Sequence, residues 1–236
     1  MKGTSVYLPG NVIPMLPEQL SNDICSLCPK KDRLVLGIKI KIMKNGKIQD
    51  YCLSKAVICS HERMIYKDVS KMISAEIEIP SWFKKPLNSL HNLFQILLKR
   101  REKRGSIDFD FPESKILFNK EGRIQEVILQ ERTLAHRIIE ECMLVANEVV
   151  AKYLLENNLP GIYRVHKEPE MNKLDDLVEY LRLYNIKFDA SSNVKPSYFQ
   201  NLLKKVKSTD NAKVLESLIL STMTQAFYHA ENQGHF

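Results

Sequence analysis

Leu34-Val35-Leu36-Gly37-Ile38-Lys39-Ile40-Lys41-Ile42, with Asn45-Gly46 behind it and a second extended run over residues 48–58, is the stretch that decides the fold class. Apolar residues recur at every second position up to Ile42, the period of a strand with one face turned from water. Asn45-Gly46 supplies the positive φ that a tight antiparallel turn requires. The stretch is therefore predicted to be a β-hairpin whose Lys39 and Lys41 share a wet face.

Moving outward, the period changes. Residues 63–73 read as a short helix and 86–104 as a longer one, with Leu87, Leu90, Leu93, Phe94, Leu97 and Leu98 at helical spacing. The basic run 99–104 falls in its last turns, where cations complement the carbonyl end of the helix, and Gly105 stops it. Residues 107–118 and 124–129 are strand-like around Asn119-Lys120-Glu121-Gly122, a second hairpin. Residues 133–156 give the strongest helix signal, with apolar side chains at 134, 138, 142, 145, 149 and 153. A short strand at 162–165 and helices at 173–184, 196–207 and 211–228 follow. Upstream, residues 3–27 carry prolines at 9, 14 and 17 and read as extended segments and turns over a surface. Hairpins followed mainly by helices predict an α+β fold: a mixed or antiparallel sheet packed by several helices.

The composition agrees. A chain of 236 residues with 44% apolar and 27% charged residues is globular, which excludes a disordered segment, a collagen or a small disulfide scaffold. The absence of a run of ~20 apolar residues points to a soluble, cytoplasmic protein, and the five cysteines are expected to be reduced and buried. The net charge of +7 is uneven: residues 1–118 hold 20 Lys/Arg against 12 Asp/Glu, the remainder 15 against 16. A basic half can attract a polyanion, because neutralised phosphates release their counterions.

Three features are candidate sites. Cys25-Ser26-Leu27-Cys28 has the spacing of half a zinc knuckle, but Cys52 and Cys59 have the wrong separation to complete it. Asp108-Phe109-Asp110-Phe111, with Glu113, puts two carboxylates on one strand face and two rings on the other; this suits a half-exposed strand better than Mg²⁺, although Phe109 can stack on any base. On the long helix His136, Glu140, Met143 and Asn147 form a stripe about 16 Å long beside the apolar face. Carboxylate and amide groups there suit ribose hydroxyls, hence RNA more than DNA. The remaining histidines show no metal spacing, and no phosphate loop or nucleophile elbow occurs.

Several runs resemble the RNB catalytic domain of the ribonuclease II and ribonuclease R family. They are Gly3-Thr4-Ser5-Val6-Tyr7-Leu8-Pro9-Gly10 with Val12-Ile13-Pro14-Met15-Leu16-Pro17, then Leu20-Ser21-Asn22, Cys25-Ser26-Leu27 and Asp32-Arg33-Leu34. Further on come Arg104-Gly105-Ser106-Ile107-Asp108-Phe109, Ile139-Glu140-Glu141-Cys142-Met143 with Ala146-Asn147, Tyr163-Arg164-Val165-His166 and Glu231-Asn232-Gln233-Gly234-His235-Phe236. They stand in the family's order over essentially the whole of residues 1–236.

The resemblance implies a processive, Mg²⁺-dependent exoribonuclease, a hydrolase that degrades single-stranded RNA from its 3′ end to nucleoside 5′-monophosphates. It implies that Tyr7 and Phe109 clamp terminal bases and that Glu140 contacts ribose, with Asn147 a neighbour on that helix face. It places the family's metal-ligand aspartates upstream of the Gly-Thr-Ser-Val-Tyr run and an arginine motif downstream of Gly-His-Phe. Residues 1–236 are therefore expected to form a partial RNB domain, without those ligands, without the flanking cold-shock and S1 domains, and without turnover of its own. The expected partner is single-stranded RNA, bound by a monomer without DNA or membrane. The competing reading is a non-catalytic RNA-binding or protein-docking module.

Overall fold

The computed structural model describes residues 3–107, 113–130, 132–189 and 194–236. The fold is α+β, made of small antiparallel sheets and several helices. A short hairpin comes first: β1 (Val6–Leu8) pairs with β2 (Asn11–Ile13), Tyr7 opposite Val12. A six-residue helical turn, Gln19–Ile24, follows where extended chain was expected. The Pro17 carbonyl nucleates it by accepting from the Leu20 and Ser21 amides at 2.9 and 3.0 Å.

The deciding hairpin forms as predicted, β3 (Asp32–Ile42) against β4 (Ile48–Cys59), turning through Gly46 at φ +82°. Its tip half obeys the alternation: Lys39 and Lys41 are exposed while Ile38, Ile40 and Ile42 are half-buried. Its base half inverts it. Leu34 and Leu36 stand on the isoleucine face yet are 86% and 85% exposed, whereas Arg33, Val35 and Gly37 are half-buried. Strands twist along their length, so a single ribbon presents different faces to its surroundings at its two ends.

α1 is Tyr66–Ile73. α2 runs from Ser81 to Arg104 and starts five residues ahead of expectation, with Pro86 inside it. The Pro80 carbonyl initiates it, accepting from the Phe83 and Lys84 amides at 2.9 and 3.1 Å. β5 (Glu113–Phe118) and β6 (Ile124–Gln130) make the second hairpin, its turn held by Asn119 Oδ1, which accepts from the Glu121 and Arg123 amides. α3 is Leu134–Glu156. Then come β7 (Tyr163–Val165), α4 (Met171–Leu183), α5 (Pro196–Val206), α6 (Ala212–Thr222) and β8 (Phe227–His229). The last helix thus ends six residues earlier than predicted, because Met223 is extended and residues 227–229 pair with β7.

The chain forms two compact units, to both of which α2 and α3 contribute. The described residues within 1–94 and 111–146 form the first, which holds the β1–β6 hairpins and buries Leu87, Phe94, Ala135, Ile138 and Val145. Those within 95–110 and 147–236 form the second. Its core gathers Leu174, Leu177 and Leu181 of α4, Phe199, Leu202, Leu203 and Val206 of α5, and Leu215 and Ile219 of α6. Basic residues at the end of α2 are partly consumed there: Arg100 and Arg104 grip the two oxygens of Glu148 at 2.8 and 2.5 Å, and Arg101 Nε donates to Ser106 Oγ. No helix is long and apolar enough to cross a membrane among the described residues.

Candidate nucleic-acid interface

In the first unit the sequence places an aromatic ring in water. Tyr7 sits mid-strand in β1 and is 78% exposed. The hairpin that carries it is tied by Ser5 Oγ, which accepts from the Met15 amide at 3.0 Å. An exposed ring on a short, tied ribbon loses little freedom when a flat partner stacks on it.

The α3 stripe is built as its spacing predicts. Glu140 is half-buried and held by Arg132, which donates to Oε2 through Nη2 at 2.5 Å and through Nε at 3.2 Å. The guanidinium fork fixes the carboxylate rotamer. One turn earlier the His136 ring lies on Tyr66 of α1, centroids 4.0 Å apart and planes 17° from parallel, with His136 Nδ1 2.7 Å from Thr133 Oγ1. Tyr66 and Arg132 are the members of this cluster that sequence reading missed. Tyr66 offered a signal, an aromatic at the start of a helix; Arg132 lies ahead of the first residue of α3, outside its periodic pattern. Met143 is 59% exposed, and Asn147 is exposed further along α3. Phe109, with Asp108, Asp110 and Phe111, lies outside the described residues.

Next to Glu140 in sequence, Glu141 is 5% exposed. Burial, then the neighbouring Glu141 charge, raises the Cys142 thiol above its usual range. The expectation of buried thiols is corrected: Cys25, Cys52 and Cys59 are exposed and Cys28 and Cys142 are half-buried, because Cys25 and Cys28 lie at a surface turn and Cys52 and Cys59 on a two-stranded ribbon that has no core of its own. Hydrogen bonds from Ser26 and then Arg33 push the Cys28 thiol down. Among the described residues no three His, Cys, Asp or Glu side chains gather to hold a metal.

In the second unit two further runs meet. His166 bridges to His235, its Nε2 lies 2.7 Å from the Thr224 carbonyl, and its Nδ1 lies 3.1 Å from that of Phe236. His235 Nδ1 is 2.9 Å from the Arg164 carbonyl. Tyr163–Val165 and the segment 231–236 are thus held together by ring-to-backbone contacts, a structural tie.

Comparison with known proteins accounts for the arrangement. The RNB domain profile matches residues 1–236. Ribonuclease R of Escherichia coli is 36% identical over all of the chain, which spans 29% of that protein's length; ribonuclease R of Thermotoga maritima is 37% identical, with 34% of its length spanned. Mycoplasma genitalium RNase R, solved in complex with ribose-methylated single-stranded RNA, superposes with a TM-score of 0.93 at 33% identity, over 99% of this chain and 37% of its own. Matched over residues 1–236, the chain belongs to the RNB domain family.

Proposed function

We infer that the chain is the strand-gripping part of a processive 3′-to-5′ exoribonuclease that hydrolyses single-stranded RNA to nucleoside 5′-monophosphates, as a cytoplasmic monomer with no use for DNA. The observation that carries this reading is the superposition, over 99% of the chain, on a ribonuclease R solved with single-stranded RNA. Tyr7 stacks on a base, an interaction worth about 1–3 kcal/mol and indifferent to sequence. Phe109 joins it, on the strength of the resemblance. Glu140, oriented by Arg132, accepts from a 2′-hydroxyl, the group that separates RNA from DNA. The Asn147 amide can donate and accept on the same helix face.

Hydrolysis of a phosphodiester needs charge neutralisation at the phosphate, which Mg²⁺ supplies in the family by resemblance. The described residues gather no ligand set that fits it. The role proposed for Tyr7, Glu140 and Asn147 is grip on the strand.

Anisotropy of labelled oligo(U) and oligo(dT) tests the assignment. The wild-type chain is expected to prefer oligo(U) and, with Mg²⁺, to release no monophosphates. Tyr7→Ala should weaken both ligands by about 1–3 kcal/mol, while Glu140→Gln should narrow the RNA-to-DNA ratio. Equal affinity of the wild type for the two polymers, or a Tyr7→Ala protein that binds as well as wild type, would overturn it.

A further inference from the structure

His136 is the member of the α3 stripe that is held most firmly and has been given no part. Its ring lies flat on Tyr66, and its Nδ1 stands 2.7 Å from Thr133 Oγ1. Stacking fixes the plane of the imidazole, and the contact at Nδ1 fixes its rotation within that plane. Nε2 is the remaining polar atom of a half-buried side chain, and it makes no hydrogen bond among the described residues. A ring anchored on two sides with one polar atom unpaired is preorganised to bond a ligand.

Thr133 sets which ligand group Nε2 can serve. Its carbonyl accepts from the Arg137 amide, and the partner of its hydroxyl is Nδ1. A hydroxyl that donates to Nδ1 leaves the ring proton on Nε2, so His136 offers a donor there. Glu140 stands one turn on, at i+4, where Cβ atoms are about 5–6 Å apart. Arg132 precedes the first residue of α3, so its hold on Oε2 draws the Glu140 side chain back along the helix, towards the turn that carries His136. A hydroxyl bonded at about 2.8 Å to each of two groups joins atoms up to about 5.6 Å apart. Helical spacing supplies that separation.

A 2′-hydroxyl that gives its proton to a carboxylate still carries lone pairs on its oxygen, and these take a donor. A phosphate oxygen would take the same donor but would be repelled by the neighbouring carboxylate.

We propose that His136 is a specificity-determining residue, whose Nε2–H donates to the oxygen of the same ribose 2′-hydroxyl that gives its proton to Glu140. The proposal rests on the reading of Glu140 above and deepens it from one contact to two. A deoxyribose leaves both the donor and the acceptor unpaired, so a single missing oxygen is penalised twice.

Anisotropy of oligo(U) and oligo(dU), which differ at the 2′ position alone, tests it. His136→Phe keeps a ring on Tyr66 and removes the nitrogens. It should weaken oligo(U) about 2- to 10-fold and leave oligo(dU) unchanged. His136→Gln, whose amide reaches the place of Nε2, should keep most of the preference, which a merely structural ring would not do. Should phenylalanine not be accommodated, His136→Ala reads the same ratio. In the double variant with Glu140→Gln the two losses should fall short of multiplying, because they act on one hydroxyl; losses that multiply would overturn the sharing. Equal weakening of both polymers by His136→Phe would put the contact on a phosphate and overturn the hydroxyl. A ratio unchanged by His136→Phe but narrowed by Glu140→Gln would overturn this proposal and leave the reading of Glu140 standing. Equal affinity of the wild type for the two polymers would overturn both.

Discussion

The helical core of the second unit and the ribbons of the first handle their apolar residues in opposite ways. In the core Leu181, Phe199, Val206, Leu215 and Ile219 are all 0% exposed; on the ribbons Leu34, Leu36 and Tyr7 are 86%, 85% and 78% exposed. Geometry explains the difference. Three helices can turn one stripe each toward a common axis, whereas a two-stranded ribbon has two faces and two open edges and covers neither alone. Side chains that a ribbon cannot cover are left available for ligands. Cohesion thus concentrates where α4, α5 and α6 meet, and the residues proposed for recognition sit on a ribbon and on the α3 stripe.

The contrast breaks first at Phe199, which lies 5.4 Å from Phe188 and 5.9 Å from Phe236, ring centre to ring centre. Phe199→Ala should cost about 3–5 kcal/mol in urea unfolding, and Leu36→Ala under about 0.5 kcal/mol. Equal losses would show that the ribbon is as cohesive as the helices. A smaller effect is expected at Gly105, at φ +86°, where a Cβ would fall 2.9 Å from Ser197 backbone atoms. Gly105→Ala should cost roughly 2–3 kcal/mol. Gly122→Ala, in an equally left-handed turn with nothing within 4 Å of the new carbon, should cost only about 1 kcal/mol. If the two match, the approach of α2's end to α5 is not tight. The smallest effect is kinetic and carries the contrast into the thiols. Cys28, lowered by its hydrogen bonds, holds more thiolate at pH 8 than Cys142, which burial raises. Iodoacetamide followed by peptide mapping should label Cys28 first and Cys142 well behind it; the reverse order would contradict both environments.

What could be read in advance follows the range of the forces involved. β3, β4 and α3 were legible because alternation, an Asn-Gly turn and a helical apolar stripe are local. The start of α2 was hidden by Pro86, which looks like a boundary and is accommodated inside the helix. β8 was misread as helix because Phe227-Tyr228-His229 becomes a strand only by pairing with β7. Of the site residues, Glu140 and Asn147 followed from helical periodicity and Tyr7 from resemblance. Arg132 and Tyr66 became visible only when the fold brought them to Glu140 and His136.

The register of that last pair, Tyr163 with His229 and Val165 with Phe227, joins positions more than sixty residues apart. Chain leaving a ribosome must therefore carry β7 unmatched until three intervening helices have been made. Closing so long a span is slow unless something shortens it first. Docking of α4, α5 and α6 does that, so the strand pair is expected to be a late seal on the helices and not their template.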